Sequence, residues 1–362
     1  MRVIISGGGT GGHVFPAIAI ANEIKKQNPD AKFLFVGAEG KLEMDRVPKA
    51  GYPIVGLPVQ GFHRKLTLRN LAFPFKLFQS MWKARKVVKK FNPDVAVGVG
   101  GYASGPTLQM AAANGIPTLV QEQNSYAGVT NKILGRKVDK ICVAYDGMEK
   151  FFPSEKIIFT GNPVRREIFE NDITTSGAKV KLGLVVGNKT ILVFGGSLGA
   201  RALNESIESG AELLRQHSEI NVIWQVGKLY YEDYKNSEVA KMPNVTVLPF
   251  IEDMASAYKA ADLIVCRAGA LTISELSLVV KAAILVPSPN VAEDHQTQNA
   301  MALVNKGAAK MVRDADGKEK LVKTMLELIK NDEERRQLED NIRYFGKPNA
   351  AEEIAIIIKS LC

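Results

Sequence analysis

Residues 2–16 read RVIISGGGTGGHVFP. A short run rich in Val and Ile is followed by five glycines within six positions, and then by a pattern of helical period. The segment therefore reads as a strand, a glycine turn and a helix, the opening of a βαβ unit. Glycines let the backbone approach an anion closely, and a helix start offers free N–H groups and a partial positive charge. Two more stretches repeat the arrangement: GVGGYASG at 98–105, ending a strand that begins at Asp94, and GGSLGAR at 195–201, after an apolar run at 190–194. A tight turn accounts for any one of them. Three at the carboxyl ends of strands point to phosphate or pyrophosphate, because open parallel sheets bind ligands there.

Working outward, apolar β-rich runs fall at 2–6, 32–36, 54–58, 94–98, 117–121, 140–143 and 156–159. Helical patterns lie between several of them, at 14–27 and 107–113 for example. The second half restarts the pattern with runs at 190–194, 221–225, 245–248, 263–266 and 283–286. This alternation predicts an α/β chain with two doubly wound parallel sheets. The stretch 170–188 is polar, with weak periodicity. A hinge is expected near Gly161-Asn162-Pro163, where Pro163 disfavours helix at Asn162. The expected domains are 1–163, joined by a C-terminal helix within 346–362, and 164–345.

The chain has 362 residues, 46% hydrophobic and 23% charged, which excludes a wholly disordered protein and suits two domains. Its three cysteines are far apart and in no CxxC pair, so neither a disulfide framework nor a cysteine zinc site is expected. Only Val3-Ile4-Ile5 precedes the glycines, too short for a signal-peptide core, and no run reaches the length of a spanning helix. A cytoplasmic location is the expectation. The net charge is +9, yet 46–93 contains no Asp or Glu and eleven Lys or Arg, so this one segment holds the whole positive excess. Leu71, Phe73, Phe75, Phe78 and Trp82 interleave there with Lys76, Lys83 and Lys86. That mixture suits a helix at an anionic membrane surface, or an amphipathic helix whose apolar face packs on the protein. No aromatic-basic RNA motif or helix-turn-helix is present, so no nucleic-acid partner is expected.

Gly7, Gly9 and Gly12 satisfy GxGxxG, and Glu39 follows the second strand, which raises a dinucleotide site. Against it stand the extra glycines, His13 where the pyrophosphate would lie, and the second cluster in the same half. GLVVGNKT at 183–190 precedes its strand, whereas a P-loop follows one. Asp314-Ala315-Asp316-Gly317 begins like a calcium loop, but Met325 stands at its twelfth position, so a turn capping the next helix is expected. Of the four histidines, His13 closes the first glycine loop at a helix start, where a neutral imidazole can take a proton from a hydroxyl.

Seven segments then fall in order along nearly the whole chain: GGGTGGHVFPAIAIA, GGYASGP, QEQNSYAGVTNK, FTGNPVR, GGSLGARALN, RAGALTISEL and EDHQTQNA. Together they resemble the MurG family of peptidoglycan glycosyltransferases. The resemblance implies a GT-B fold, two Rossmann-like domains facing a central cleft. It implies transfer of N-acetylglucosamine from UDP-GlcNAc to the 4-hydroxyl of undecaprenyl-pyrophosphoryl-MurNAc-pentapeptide (lipid I) with inversion. Arg165 and Ser197 would face the donor diphosphate. Ile251 would hold the uracil through its backbone. Ala270, Leu271, Thr272 and Glu275 would contact the nucleotide, Glu275 on the ribose hydroxyls. Gln296, Asn124, Thr10, Gly11 and Gly12 would position the amino sugar. Gly8, Gly9, Gly100, Gly101, Tyr102 and Ser104 would cradle the acceptor pyrophosphate. His13 is the candidate base. No obligate cofactor or metal is implied, and the basic segment would dock peripherally on the cytoplasmic face of the inner membrane, alongside cell-wall synthesis proteins. Two positions depart from the family pattern: Gln121 stands where many relatives have His, and Val280-Lys281-Ala282 stands for Gly-Lys-Pro. The alternatives are another GT-B lipid glycosyltransferase, a UDP-sugar epimerase with the same two domains, or a non-enzymatic binder of anionic lipid or nucleic acid.

Overall fold

The computed structural model describes residues 1–59, 73–196, 198–291 and 294–362. The chain forms two compact units, Met1–Arg165 with Lys347–Cys362, and Arg166–Gly346. In the first, the elements run β1 (Arg2–Ser6), α1 (Gly11–Gln27), β2 (Lys32–Ala38), α2 (Glu43–Lys49), β3 (Ile54–Leu57), α3 (Phe73–Phe91), β4 (Val95–Gly98), α4 (Ser104–Ala113), β5 (Thr118–Glu122), α5 (Val129–Gly135), β6 (Lys140–Val143) and β7 (Ile157–Phe159). The second contains α6 (Thr175–Lys181), β8 (Lys189–Phe194), α7 (Arg201–Ser209), α8 (Ala211–Arg215), β9 (Ile220–Gln225), α9 (Tyr231–Tyr234), β10 (Val245–Leu248), α10 (Met254–Ala260), β11 (Leu263–Cys266), α11 (Ala270–Val279), β12 (Ala283–Leu285), α12 (His295–Val304), β13 (Lys310–Met311), α13 (Gly317–Lys330) and α14 (Asp332–Arg343). The last helix, α15 (Ala350–Ser360), returns to the first unit, where Ile354, Ala355 and Ile358 join the core beside α1. Burying the two isoleucines contributes roughly 3–6 kcal/mol.

Both sheets are parallel, in the orders β3-β2-β1-β4-β5-β6-β7 and β10-β9-β8-β11-β12-β13. Helices cover both faces, so the central strands are apolar throughout: β4, β9 and β11 are buried at every residue. Each sheet reverses its winding at one place, between β1 and β4 and between β8 and β11. The loops leaving these strands are the three glycine loops and Arg267-Ala268-Gly269. Ligand loops belong at such switch points.

Three local expectations are refined. The polar, weakly periodic stretch 170–188 holds a helix, α6, capped by Thr174, whose hydroxyl accepts the Gly177 N–H at 3.0 Å. A seven-residue helix burying only Ala178 and Lys179 leaves no periodic signal. Asp316 does not cap α13 through its side chain; it accepts from Arg313 Nε at 3.0 Å, while Asp314 pairs with Arg267. The first helix starts at Gly11 rather than at Val14, so Pro16 sits in its second turn, where it lacks the N–H that would meet the Gly12 carbonyl.

The two departures from the family pattern also have visible consequences. Gln121 is fully buried; its Nε2 donates to Asn162 Oδ1 at 2.9 Å, and Asn162 Nδ2 donates to the Gln123 carbonyl at 3.1 Å. Gln121 thus ties β5 to the Gly161-Asn162-Pro163 turn. Val280 ends α11 at φ +52°, ψ +63°. The left-handed turn that glycine would make is kept, with a β-branched residue strained into it.

Candidate active site

The first glycine loop lies against the second. A Cβ on Gly101, at φ +83°, would fall 2.4 Å from the Gly8 carbonyl oxygen, so only glycine permits this approach. His13, on the first turn of α1, stands over Gly100, whose added Cβ would lie 2.9 Å from the imidazole Nε2. The other ring nitrogen, Nδ1, is 2.9 Å from the Gly8 carbonyl oxygen. A carbonyl only accepts, so Nδ1 carries a proton, and in the neutral ring Nε2 is then the nitrogen with the lone pair. Nε2 is therefore the atom able to receive a proton beside Gly100.

Glu43 is a residue that the sequence reading missed. It is 1% exposed, and its carboxylate accepts the Gly9 N–H (2.8 Å) at Oε2 and the Ala38 N–H (2.8 Å) at Oε1. The Gly9 N–H is already spent on an internal anion, and the carboxyl group fills the space beside Gly8. Ser104, expected beside the acceptor pyrophosphate, is fully buried, with its hydroxyl within 2.7 Å of the Ser6 carbonyl and 2.9 Å of the Gly100 carbonyl. It braces the second loop from beneath. Gly100 is buried beneath His13, Gly101 is partly exposed and Tyr102 half-exposed, and Thr10 and Gly12 are exposed at the start of α1.

Glu122, also 1% exposed, organises the segment that carries Asn124. Its Oε1 accepts the Asn124 N–H (3.0 Å) and Nδ2 (3.2 Å), and its Oε2 accepts the Gly128 N–H (3.0 Å) and Asn131 Nδ2 (2.9 Å). Arg165 belongs to this first unit, its guanidinium 4.8 Å above the Phe15 ring of α1.

In the second unit the third glycine loop is held by neutral groups. A Cβ on Gly199 would sit 2.2 Å from the Val226 carbonyl oxygen, and Gly227 presses back on Gly199. Gln225, 3% exposed, donates from Nε2 to the Gly196 carbonyl (3.1 Å) and the Pro249 carbonyl (3.4 Å). It joins this loop to the segment that carries Ile251, itself buried. Asp253 then caps α10, accepting the Ser256 N–H at 3.0 Å. Desolvation raises the Asp253 carboxyl, and the bonds from Lys181 and Ser256 outweigh it, holding the group at about 2.

At the start of α11, Ala270 and Leu271 are buried and Thr272 half-buried. Glu275 accepts a hydrogen bond from Tyr258 at 2.8 Å, and Tyr258 is fully buried against Phe194. The phenol fixes one carboxylate oxygen of Glu275. Burial, with the Glu275 charge next, pushes the nearby Cys266 thiol strongly up, so it stays protonated. Gln296, on α12, accepts the Ser288 N–H (2.8 Å) at Oε1. Arg267 donates to the Val286 (3.0 Å) and Pro287 (3.2 Å) carbonyls, shaping the loop after β12.

Helix α3 splits by face. Ser80, Ala84 and Val88 are buried, whereas Phe75 and Phe78 are each 72% exposed and Trp82 55%. Lys86 Nζ lies 3.4 Å from the centre of the Trp82 ring. Lys83 is less available to a surface than expected, being paired with Glu39 at 2.8 Å. Leu71, Ser197 and the Phe73 side chain lie outside the described residues. No helix among the described residues is long and apolar enough to cross a membrane.

Both halves of the chain are similar to known proteins. Residues 3–143 match the glycosyltransferase family 28 N-terminal domain, and residues 190–354 match the glycosyltransferase family 28 C-terminal domain. The chain is 57% identical over 357 residues, 98% of this chain and 94% of the other, to the UDP-N-acetylglucosamine--N-acetylmuramyl-(pentapeptide) pyrophosphoryl-undecaprenol N-acetylglucosamine transferase of Bacteroides fragilis. The crystal structure of Acinetobacter baumannii MurG is similar with a TM-score of 0.76 and 31% identity, covering 99% of both chains. A putative UDP-N-acetylglucosamine 2-epimerase from Listeria monocytogenes, at 14% identity, shares the fold alone, with a TM-score of 0.72 over 99% of this chain and 96% of that one. By its sequence along almost its whole length, and by both halves of its fold, the chain belongs to glycosyltransferase family 28 and, within it, to the MurG family of N-acetylglucosamine transferases.

Proposed function

We propose that the chain transfers N-acetylglucosamine from UDP-GlcNAc to the 4-hydroxyl of the N-acetylmuramoyl sugar of lipid I, in one displacement with inversion. The hydroxyl oxygen forms the new bond to the anomeric carbon. The bond from that carbon to the β-phosphate oxygen breaks, and its electron pair leaves with UDP. The hydroxyl proton passes to His13 Nε2. The observation that carries this chemistry is the His13 ring, whose Nδ1–H is committed to the Gly8 carbonyl at 2.9 Å. General-base assistance of this kind contributes about 10²–10⁴ in rate.

The second unit holds the donor. The loop at 195–200 and the start of α7 face the diphosphate, where helix N–H groups meet the charge that develops on the leaving group. Ile251 offers backbone groups to the uracil, and Glu275, steadied by Tyr258, takes the ribose diol. Ala270, Leu271 and Thr272 line the nucleotide, Gln296 and Asn124 take the sugar with Thr10, Gly11 and Gly12, and Arg165 adds positive charge at the diphosphate. The acceptor pyrophosphate falls to Gly100, Gly101 and Tyr102. The exposed Phe75, Phe78 and Trp82, flanked by Lys76 and Lys86, suit docking on an anionic membrane surface at the cytoplasmic face.

Single-turnover transfer of labelled N-acetylglucosamine to a short-chain lipid I analogue tests the reading, with His13→Ala and Glu275→Ala alongside. Transfer by the native chain, lost in both variants, is expected. Donor hydrolysis or epimerisation without transfer would contradict it. Native transfer with a fully active His13→Ala enzyme would remove the base and keep the reaction.

A further inference from the structure

Glu43 is expensive where it stands. A carboxylate at 1% exposure loses its water, and a neutral side chain of the same size would avoid that cost. The surrounding sequence nevertheless makes room for it. A Cβ on Gly8 would fall 2.1 Å from the Glu43 carboxyl carbon, and one on Gly37 would fall 2.4 Å from its Cγ. Two backbone N–H groups, of Gly9 and Ala38, point at its two oxygens.

One of those N–H groups has a partner at its other end. The Gly9 N–H and the Gly8 carbonyl belong to a single planar peptide. Glu43 Oε2 accepts from the nitrogen side of that plane, and the carbonyl oxygen on the other side accepts from His13 Nδ1 at 2.9 Å. The order is carboxylate, peptide, imidazole. A carboxylate drawing on the N–H raises electron density on the carbonyl oxygen, because bonds in such a chain polarise one another. A richer carbonyl holds the Nδ1–H more firmly. It also favours the imidazolium that forms when Nε2 takes a proton, as a carboxylate bonded directly to a catalytic histidine does.

We propose that Glu43 is a positioning residue of the transfer reaction, acting on His13 through the Gly8–Gly9 peptide as a peptide-bridged carboxylate–histidine pair. It fixes the tautomer and orientation of the ring and supports the charge that the ring acquires. This proposal rests on His13 being the base.

The test compares E43Q with the native full-length chain. A glutamine can accept one N–H through its oxygen but sets an NH₂ against the other, and it carries no charge. Turnover is expected to fall 10- to 100-fold, with the KM for UDP-GlcNAc within twofold of native. ¹⁵N–¹H spectra of the histidine side chains, with the His13 signal assigned by its loss in His13→Ala, give the second readout. The native chain is expected to show the Nδ1–H tautomer and E43Q a mixture. A folded E43Q enzyme with native turnover, or with an unaltered His13 tautomer, overturns the proposal. If E43Q does not fold, E43D keeps the charge but withdraws the carboxyl by one methylene. A lower turnover with a weakened tautomer preference supports the proposal, and native values of both overturn it. The base reading fails separately, on the rate of His13→Ala, whereas the tautomer is read without turnover.

Discussion

The first and third glycine loops look alike in sequence and are braced by opposite means. Each leaves a central strand of a parallel sheet and runs into a helix, after β1 in one unit and β8 in the other. The first is closed from below by a buried carboxylate, Glu43, which consumes the Gly9 N–H. The third is held by the amide of Gln225, which donates to the Gly196 and Pro249 carbonyls, and by Gly227 packed on Gly199. A loop that already carries an internal anion has less to offer an external phosphate. In the third loop the brace is a neutral donor, and the Gly199 N–H turns inward to the Gly196 carbonyl at 3.0 Å. A glycine motif thus supplies a shape, and a residue 34 positions away in one loop and 29 in the other decides which of its backbone groups is occupied.

The hardest test of this contrast is His13→Ala. Single-turnover transfer is expected to fall by about 10²–10⁴, with UDP affinity unchanged. Gln225→Leu probes the other loop. It releases the Gly196 and Pro249 carbonyls from a buried donor, a loss of about 1–2 kcal/mol, read as a 5- to 30-fold weaker UDP affinity in calorimetry with native transfer once donor saturates.

Asp253 gives a smaller effect with a pH signature. Its folded value of about 2 lies below the ordinary 3.8. Its stabilisation is therefore complete above about pH 4 and is lost as pH falls through 2. Asp253→Ala is expected to cost about 1 kcal/mol in urea unfolding at pH 7 through loss of the cap, with the gap to native closing below pH 4. The exposed pair with Lys181 adds little to this. A gap that stays constant down to pH 2 would contradict the assignment. The smallest effect is Val280→Gly. It relieves a β-branched residue at φ +52° and gives back part of that in chain entropy, for a net gain of about 0.5–1 kcal/mol in the same assay. Unchanged stability would mean that the turn holds no strain.

The parallel sheets were legible because buried parallel strands are continuous apolar runs, and the boundaries of β1, β6, β10 and β11 coincide with their runs in the sequence. Strand β13 was not, since two half-buried residues carry no pattern. The family motifs named His13 and Glu275, but not what orients them. Glu43 lies in a short charged stretch that reads as solvated surface. Gln225 and Tyr258 sit at ends of elements, where burial follows from packing rather than from periodicity. Only the tertiary structure brings each to its loop or carboxylate. Ser104 is the opposite case: its place in a glycine motif suggests an exposed hydroxyl, and its position at the start of α4 turns that hydroxyl into the core.

The most direct measurement is calorimetric UDP affinity across four full-length variants, His13→Ala, Glu43→Gln, Gln225→Leu and Glu275→Ala. Native affinity is expected in the first two and weakened affinity in the last two, as follows from the proposed reaction, in which the loop of the second unit takes the diphosphate and that of the first presents the base. Equal losses in all four, or a loss confined to the first pair, would contradict it.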